Sequence, residues 1–359
     1  MTDNMLVTGG AGFIGANFIR YIQKVNPNIN IVNLDLLTYA GSLENLKNLA
    51  LPENHQFIQG DICDQTLIEG LIRKNHIDTI VHFAAESHVD RSLQGPKAFI
   101  QTNIMGTFSL LEAARNVWLN DEISGGDSVR FHHISTDEVY GTLAPNDPAF
   151  QETTPYAPNS PYAASKASSD HLVRSYNHSF GLPVTISNCS NNYGPYQFPE
   201  KLIPLMILNA LTGKPLPIYG DGMQIRDWLY VVDHCEAIWS IIQNGKIGES
   251  YNIGGGNQPP NIEIVKTICN ILDEKGLPNS PYSSLITYVK DRPGHDRRYA
   301  MNIEKIRDEL GWQPKHELAE GLRDTVEWYL DHNDWLNAII KEKDYQKWVQ
   351  LNYQQRGNK

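Results

Sequence analysis

The chain has 359 residues, of which 41% are hydrophobic and 20% are charged, a composition typical of a globular enzyme with a large buried core. Its formal net charge of −11 excludes a nucleic-acid polymer or an anionic membrane as a partner of the whole surface, because both would be repelled. No apolar run approaches the about 20 residues of a membrane span, and the N-terminus resembles no signal peptide.

Six short apolar runs in the first half predict strands. They are NMLVTGG, INIVNLD, HQFIQGD, DTIVHFAA, VRFHHIS and PVTISNCS. Stretches with helical spacing lie between most of them, such as residues 96–119, where Phe99, Ile104, Phe108 and Leu111 recur on one face. Alternating strands and helices predict the α/β class, with a Rossmann-type doubly wound parallel sheet whose ligand site lies at the carboxyl ends of the strands.

After about residue 190 this alternation stops, and loop-forming residues cluster in SNNYGPYQFPE and GGGNQPPN. The length of the chain suggests about two domains. We predict a cofactor-binding Rossmann domain at residues 1–190, with a return segment near 227–256. A smaller mixed α/β substrate domain is predicted at 191–226 and 257–359.

The first strand leads into TGGAGFIG, where Gly9, Gly12 and Gly15 are spaced G-x-x-G-x-x-G before a predicted helix. Glycines allow a tight turn and a close approach to a pyrophosphate, which the amino end of the helix attracts. Asp35 follows twenty residues later, where an acid accepts hydrogen bonds from a ribose. Because its carboxylate would repel a 2′-phosphate, and Leu36 is not an arginine, the motif predicts NAD rather than NADP.

Two further strands end in residues that fit a cofactor site. Asp61, after the third strand, is placed near an adenine, and Ala84 and Ala85 are small enough for the chain to pass close to a cofactor. From the residues alone, the second segment could equally be an ordinary strand end.

Tyr162 and Lys166 lie four residues apart in SPYAASK and therefore share one face of a helix. A nearby ammonium should favour tyrosinate and lower the pKa of the tyrosine, which could then take a proton from a hydroxyl while hydride leaves the same carbon. Thr136 would hydrogen-bond the same substrate oxygen. The spacing alone is not specific, because both residue types are common in this chain.

The fifth predicted strand ends in HHISTDEVYG, with the adjacent acids Asp137 and Glu138. Considered alone, two acids after a strand favour a solvated turn. Close carboxylates also tend to have pKa values that are split, which suits one acid and one base. The neighbouring His132 and His133 point to opposite faces of a strand, and the four cysteines form no C-x-x-C pair, so we expect no metal site and a reducing, cytoplasmic environment.

The glycine-rich turn, the Tyr–Lys pair and the segments AAESHVDRS, PIYGDGMQIRDW and DRPGHDRRYA together resemble the extended short-chain dehydrogenase/reductase family, over nearly the whole chain. That family includes sugar-nucleotide epimerases, decarboxylases and dehydratases. With the acid pair, the resemblance implies an NAD-dependent hydro-lyase for a nucleotide sugar, dTDP-glucose, that serves deoxysugar synthesis. It implies Asp137 as acid, Glu138 as base, and Tyr162 as base for the C4 hydroxyl.

The resemblance also implies the contacts of both ligands. Those of NAD are Gly9, Gly12, Phe13, Ile14, Gly15, Asp35, Leu36, Thr38, Asp61, Ile62, Phe83, Ala84, Ala85, Thr102, Tyr162, Lys166 and Asn192. Those of the substrate are Ser87, Thr136, Asn191, Lys201, Leu202, Pro217, Tyr219, Arg226, Asn261, Arg292 and His295. Leu36 departs from the pattern of the family, which has lysine there.

Three alternatives remain open at this point. The chain could be a dehydratase for another nucleotide sugar, a UDP-sugar 4-epimerase, or a non-catalytic NAD-sensing protein on the same fold. The residues alone do not assign the two proton transfers to Asp137 and Glu138. The family commonly forms homodimers through pairs of helices, for which residues 96–119 and 161–180 are the candidates.

Overall fold

The computed structural model describes residues 2–120, 129–291 and 294–341. Its strands follow in chain order: β1 (Asn4–Thr8), β2 (Asn30–Asp35), β3 (His55–Gln59), β4 (Thr79–His82), β5 (Arg130–Thr136), β6 (Val184–Cys189), β7 (Asn191–Tyr193), β8 (Leu216–Tyr219), β9 (Trp228–Tyr230), β10 (Ser250–Ile253) and β11 (Ile286–Val289). The six predicted strands correspond to β1–β6.

The α-helices are α1 (Phe13–Val25), α2 (Gln65–Lys74), α3 (Val89–Gln94), α4 (Pro96–Phe99), α5 (Thr107–Ala114), α6 (Pro161–Phe180), α7 (Leu202–Leu211), α8 (Val231–Asn244), α9 (Asn261–Glu274), α10 (Glu304–Leu310), α11 (Leu318–Asp331) and α12 (Asn333–Ile340). Short 3₁₀ turns cover Leu43–Leu46, Pro52–Asn54, Asp137–Tyr140 and Tyr282–Leu285. No helix in these described ranges is long and apolar enough to span a membrane.

Seven strands form one sheet in the order β10-β6-β5-β4-β1-β2-β3, and every neighbouring pair is parallel. This confirms the predicted α/β class and the doubly wound sheet. The crossover point lies beside β1, where the chain moves outward to β2 and β3 and then returns to β4. Ligands bind at this point in such sheets.

Alternate residues of each strand enter different cores, because neighbouring side chains point to opposite faces. Met5 and Val7 of β1 pack with α1 and α8, whereas Leu6 packs with α2, α5 and α6. A third core is built mainly by residues after 193, from α7, α9, α11 and α12. The third core supports the division into two domains, which stays a prediction.

Helix α6 shows how local sequence sets the boundaries of an element. Ser160 caps it by accepting a hydrogen bond from the Ala163 N–H at 3.1 Å, and Pro161 occupies the first turn. Gly181 ends it with a left-handed φ of 73°. The helix therefore begins directly before Tyr162 and runs past Lys166.

The predicted helix at residues 96–119 is one helical run, but its hydrogen bonding changes along its length. π-helical segments at Ile100–Gly106 and Arg115–Asn120 flank α5. π-Turns are often found near functional sites. Here the first one contains Thr102, which faces the cavity described below, and Asn103, whose side chain bonds Ser165 on α6 at 2.8 Å.

Candidate active site

A cavity of about 310 Å³ lies at the carboxyl ends of the central strands, within the range of ligand pockets. All predicted cofactor residues line it: Gly9, Gly12, Phe13, Ile14, Gly15, Asp35, Leu36, Thr38, Asp61, Ile62, Phe83, Ala84, Ala85, Thr102, Tyr162, Lys166 and Asn192. So do the predicted catalytic residues: Thr136, Asp137, Glu138, Tyr162 and Lys166. The fold thus brings both sets into one cleft, and their individual roles stay predictions.

The glycine-rich turn forms the floor of this cleft. Gly9 adopts a φ of 72°, and a Cβ placed there would lie 2.6 Å from the backbone N of Ala84. Only glycine meets both demands without strain. Among the residues that the structure describes, no side chain caps the N-terminus of α1 at Gly12, so the first N–H groups of the helix are open to a ligand anion.

Asp35 ends β2 and holds the turn in place. Its Oδ2 accepts a hydrogen bond from the Ala11 N–H at 2.9 Å, and its Oδ1 accepts one from the Leu37 N–H at 2.8 Å. Burial raises the pKa of Asp35, and these two hydrogen bonds oppose the rise. The sequence predicted a contact with a ribose and missed this second, structural role. The uncapped helix, the close-packed glycine and the acid at the cleft together fit a dinucleotide.

The acid pair lies where β5 meets its 3₁₀ turn. Asp137 is 2% exposed, whereas Glu138 is half-buried. Burial raises the pKa of Asp137 well above its usual range, and the neighbouring Glu138 carboxylate adds to the rise, while Arg226 opposes it. Asp137 Oδ1 accepts a hydrogen bond from Thr136 Oγ1 at 3.2 Å, whereas its Oδ2 has no hydrogen-bond partner among the described residues. Asp137 is therefore a buried acid whose surroundings favour the protonated form, with one oxygen available to a ligand.

Tyr162 is buried in the same wall of the cavity. Its pKa was predicted to be lowered by Lys166, and this direction is wrong for the chain without a bound cofactor. Burial raises the pKa of Tyr162 well above its usual value, the Glu138 carboxylate adds to the rise, and a hydrogen bond with Thr136 opposes it. Lys166 Nζ donates to the Ile134 carbonyl at 2.7 Å and lies 3.4 Å from His133 Nε2. The backbone of β5 thus holds Lys166 in place. The positive charge of a bound oxidised nicotinamide would lower the pKa of Tyr162.

The predicted substrate residues fall into two groups. Ser87, Thr136, Asn191 and Lys201 line the cavity. Lys201 Nζ donates to the Ser87 carbonyl at 3.0 Å, and Asn191 Oδ1 is buried without a hydrogen-bond partner in the described part of the chain. These groups can contact a ligand in the cavity directly.

The second group lies outside the wall of the cavity: Leu202, Pro217, Tyr219, Arg226, Asn261 and His295. Several of these residues lie close together, since the rings of Tyr219 and His295 are 6.2 Å apart and Arg226 donates to the Asp296 carbonyl at 3.0 Å. Arg226 is also the basic group whose charge reaches Asp137. Arg292 lies outside the described residues.

Sequence reasoning missed two further acids in the wall of the cavity, Glu86 and Glu200. Burial raises the pKa of both carboxyl groups. Glu200 pairs with Arg91 at 3.2 Å, and the Arg91 guanidinium lies 3.7 Å from the centre of the Tyr39 ring. Their only signal in the sequence was their position beside Ser87 and Lys201, which the resemblance implies as substrate contacts.

Comparisons with known proteins agree with this geometry. The family model described as GDP-mannose 4,6 dehydratase matches residues 6–325. A dTDP-glucose 4,6-dehydratase of Shigella flexneri is 56% identical over 362 residues, which cover 98% of this chain and 99% of that protein.

Two solved structures have the same fold. The dTDP-glucose 4,6-dehydratase of Bacillus anthracis, in complex with NAD, is 44% identical with a TM-score of 0.83 and covers 94% of this chain and 99% of its own. That of Streptomyces venezuelae, also solved with NAD, is 43% identical with a TM-score of 0.85 over the same shares of the two chains. The chain described here belongs to the dTDP-glucose 4,6-dehydratase family.

Proposed function

We propose that the chain catalyses the NAD-dependent removal of water from dTDP-glucose and releases dTDP-4-keto-6-deoxy-glucose, a precursor of deoxysugars. The observation that carries this proposal is the acid pair Asp137 and Glu138, which lines the same cleft as Tyr162, Lys166 and the glycine-rich turn. A simple epimerase needs no pair of additional proton-transfer groups. The membership in the family supports dTDP-glucose over other nucleotide sugars.

Tyr162 begins the reaction by taking the proton of the C4 hydroxyl, while Thr136 donates a hydrogen bond to the same oxygen. Both side chains line the cleft beside the cofactor residues. NAD held at the glycine-rich turn would supply the hydride chemistry, as acceptor of the C4 hydride and as its donor to C6 within the same turnover. The resulting C4 ketone acidifies the neighbouring C5–H, which prepares the elimination.

Glu138 takes the C5 proton, and Asp137 gives its proton to the C6 oxygen, which leaves as water. The raised pKa of Asp137 suits the acid role, because it favours the protonated form that a proton donor needs. With a hydride added at C6, Glu138 returns its proton to C5 and completes the product. Tyr162 then releases the proton that it took from the C4 hydroxyl, and Asp137 regains one from solvent. The net change in the sugar is the loss of one water.

The nucleotide end of the substrate lies beyond Lys201 in this proposal. Lys201 lines the cavity, and Arg226 and His295 lie beyond its wall. Arginine suits a diphosphate because it can donate two parallel hydrogen bonds. Such local basic groups allow an anionic substrate to bind to a chain whose net charge is −11.

The direct test is incubation of the purified protein with dTDP-glucose, followed by mass spectrometry of the sugar nucleotide. We expect a product that has lost one water and no accumulation of free NADH. An isomer of unchanged mass would show an epimerase and overturn the proposal. UDP-glucose and GDP-mannose, run in parallel, test the choice of base, and faster conversion of either would overturn the choice of dTDP.

Glu138→Gln separates oxidation from elimination. If Glu138 removes the C5 proton, this variant should oxidise C4 and then stall with NADH bound, which absorbance detects during a single turnover. Dehydration at the normal rate would remove Glu138 from the mechanism.

We also propose a homodimer built from the helical run at 96–119 and α6. Apolar side chains on the outer face of that run are exposed: 47% of Ile100, 44% of Met105 and 37% of Phe108. Burying such a patch against a second copy is favourable. A Met105→Glu and Phe108→Glu double variant should become monomeric in analytical ultracentrifugation, and a monomeric parent protein would contradict the proposal.

A cytoplasmic location completes the proposal. All four cysteines are free thiols, and three of them are buried. Free thiols suit a reducing compartment. Cell fractionation tests this, and recovery outside the cytoplasmic fraction would refute it.

A further inference from the structure

Lys166 occupies an unfavourable site for an ammonium group. It is 4% exposed, and burial lowers its pKa to about 8, although Asp170 opposes the fall. An amine with such a pKa loses part of its charge slightly above neutrality. Some other group must favour the ammonium form if Lys166 is to act as a cation beside the reacting tyrosine.

Asp170 lies one turn beyond Lys166 on α6 and is completely buried. Its Oδ2 accepts hydrogen bonds from Ser135 Oγ at 2.8 Å, Tyr156 Oη at 2.8 Å and Asn188 Nδ2 at 3.3 Å. Burial raises the pKa of Asp170, but His133, the charge of Lys166 and the hydrogen bond from Ser135 together hold it below its usual value. Asp170 is therefore a fixed, buried negative charge, although it does not line the cavity.

His133 lies between the two charges. Its Nε2 is 3.2 Å from Asp170 Oδ1 and 3.4 Å from Lys166 Nζ. Burial and the nearby lysine lower the pKa of His133 to about 4, so the ring is neutral at physiological pH. A neutral ring leaves the carboxylate as the counter-charge of the lysine.

We propose that Asp170 is a positioning residue of the reaction: across His133 it keeps the Lys166 ammonium charged and directed at the Ile134 carbonyl. This inference rests on the proposed function, because it concerns the reaction of Tyr162 and Lys166. It gives a catalytic purpose to a buried carboxylate that does not itself line the cavity.

The test compares Asp170→Asn with Asp233→Asn in the holoenzyme. Asp233 is a matched control, because it is also a buried helical aspartate that pairs with a histidine, His316 Nδ1 at 2.7 Å, but on α8. Both variants remove one buried carboxylate and keep its shape. Only the first should affect Lys166.

The direction follows from the groups around the lysine. His82 on β4, His133 on β5, Cys189 on β6 and Asp170 on α6 act on or with Lys166. Asp170 raises the pKa of Lys166, so its removal lowers that pKa further below about 8. The ammonium is then lost at a lower pH, and the alkaline limb of kcat moves to lower pH by about one unit. At pH values well above the wild-type limb, kcat should fall about tenfold, with KM for the sugar nucleotide changed less than about twofold.

A second readout does not depend on turnover. The side-chain resonance of Lys166, in protein containing isotope-labelled lysine and assigned with Lys166→Met, reports its titration directly. Its midpoint should be lower in Asp170→Asn than in the wild type or in Asp233→Asn. An equal midpoint in all three proteins would overturn the inference.

If Asp170→Asn does not fold, Tyr156→Phe is the second variant, because it removes one donor to the carboxylate and leaves the charge. Because the carboxylate is then less compensated by its donors, the midpoint of Lys166 should rise slightly, and an unchanged or lower midpoint counts against the inference. A wild type that does not dehydrate dTDP-glucose sinks the proposed function instead. Normal dehydration with an unchanged pH profile in Asp170→Asn sinks this inference alone.

Discussion

The two ends of the cleft are built by different means. The cofactor end is shaped mainly by the main chain. Gly9 has a left-handed φ, α1 presents open N–H groups, and Asp35 binds two backbone N–H groups. At the reacting end buried ionisable side chains dominate, with Asp137 and Tyr162 almost inaccessible. We therefore expect substitutions at the cofactor end to act through backbone geometry, and substitutions at the reacting end to act through the protonation of side chains.

The largest effect is expected at the reacting end. Tyr162→Phe removes the proposed proton acceptor, so the first hydride transfer should slow about 10²–10⁴-fold. Single-turnover NADH formation measures it. Tyr176→Phe is the control, because Tyr176 is buried on the same helix and donates to Glu112 instead. Hydride transfer at the wild-type rate in Tyr162→Phe would show that another group takes the proton.

Gly9→Ala tests the cofactor end. The added Cβ would meet the backbone of Ala84 and strain a φ of 72°, so the Kd for NAD should rise about tenfold or more. Gly181→Ala is matched in φ, at 73°, but its Cβ would meet no atom within 4 Å. Titration calorimetry should find NAD binding unchanged there, and equal losses in both variants would rule out the contact as the cause.

Asp35→Asn tests how much the negative charge of this side chain contributes at the cofactor end of the cleft. We expect NAD affinity to fall about tenfold, because an amide has one acceptor oxygen for the two backbone N–H groups and the ribose. Affinity for NADP should improve relative to NAD, since the negative charge is lost. An unchanged ratio of the two affinities would remove Asp35 from cofactor selection.

The smallest expected effect is that of Asp137→Asn on stability. This substitution should stabilise the fold, although it removes the proposed acid and should lower activity. The raised pKa of Asp137 means that the folded chain keeps a proton that the unfolded chain releases above about pH 4, so stability falls as pH rises above that value. Asp137→Asn removes this penalty and should raise Tm at pH 7 by about 2 °C or more, with little change near pH 4. Calorimetric scans at both pH values measure it, beside the exposed Glu53→Gln. An equal gain at both pH values would exclude ionisation as the cause.

Short-range patterns predicted the strand, turn and helix at the cofactor end, because β1, the glycine-rich turn and α1 follow one another directly along the chain. The same patterns predicted β1–β6 and the start of α6. The domain division, with its return segment near residues 227–256, stays a prediction, and it did not specify that β10 joins the edge of the sheet beside β6.

The reacting end was predicted in position but not in protonation. The pKa of Tyr162 depends on burial and on Glu138, and that of Asp137 depends on burial and on Arg226, which is far away in sequence. Asp170 gave no signal at all, because its importance arises only when β5, β6 and α6 pack around it. Charges that are placed by tertiary packing have no local signature.

The order of the strands has a consequence for the evolution of this cleft. β1 carries the glycine turn and β5 carries Thr136, and only β4 separates them. Neighbouring strands lie about 4.8 Å apart, so the two ends are held about 10 Å from each other by backbone hydrogen bonds that no side-chain substitution can lengthen. Side-chain substitutions can thus change which sugar binds or which group transfers a proton. A cofactor with a different distance between its anionic and reactive parts would require a different sheet.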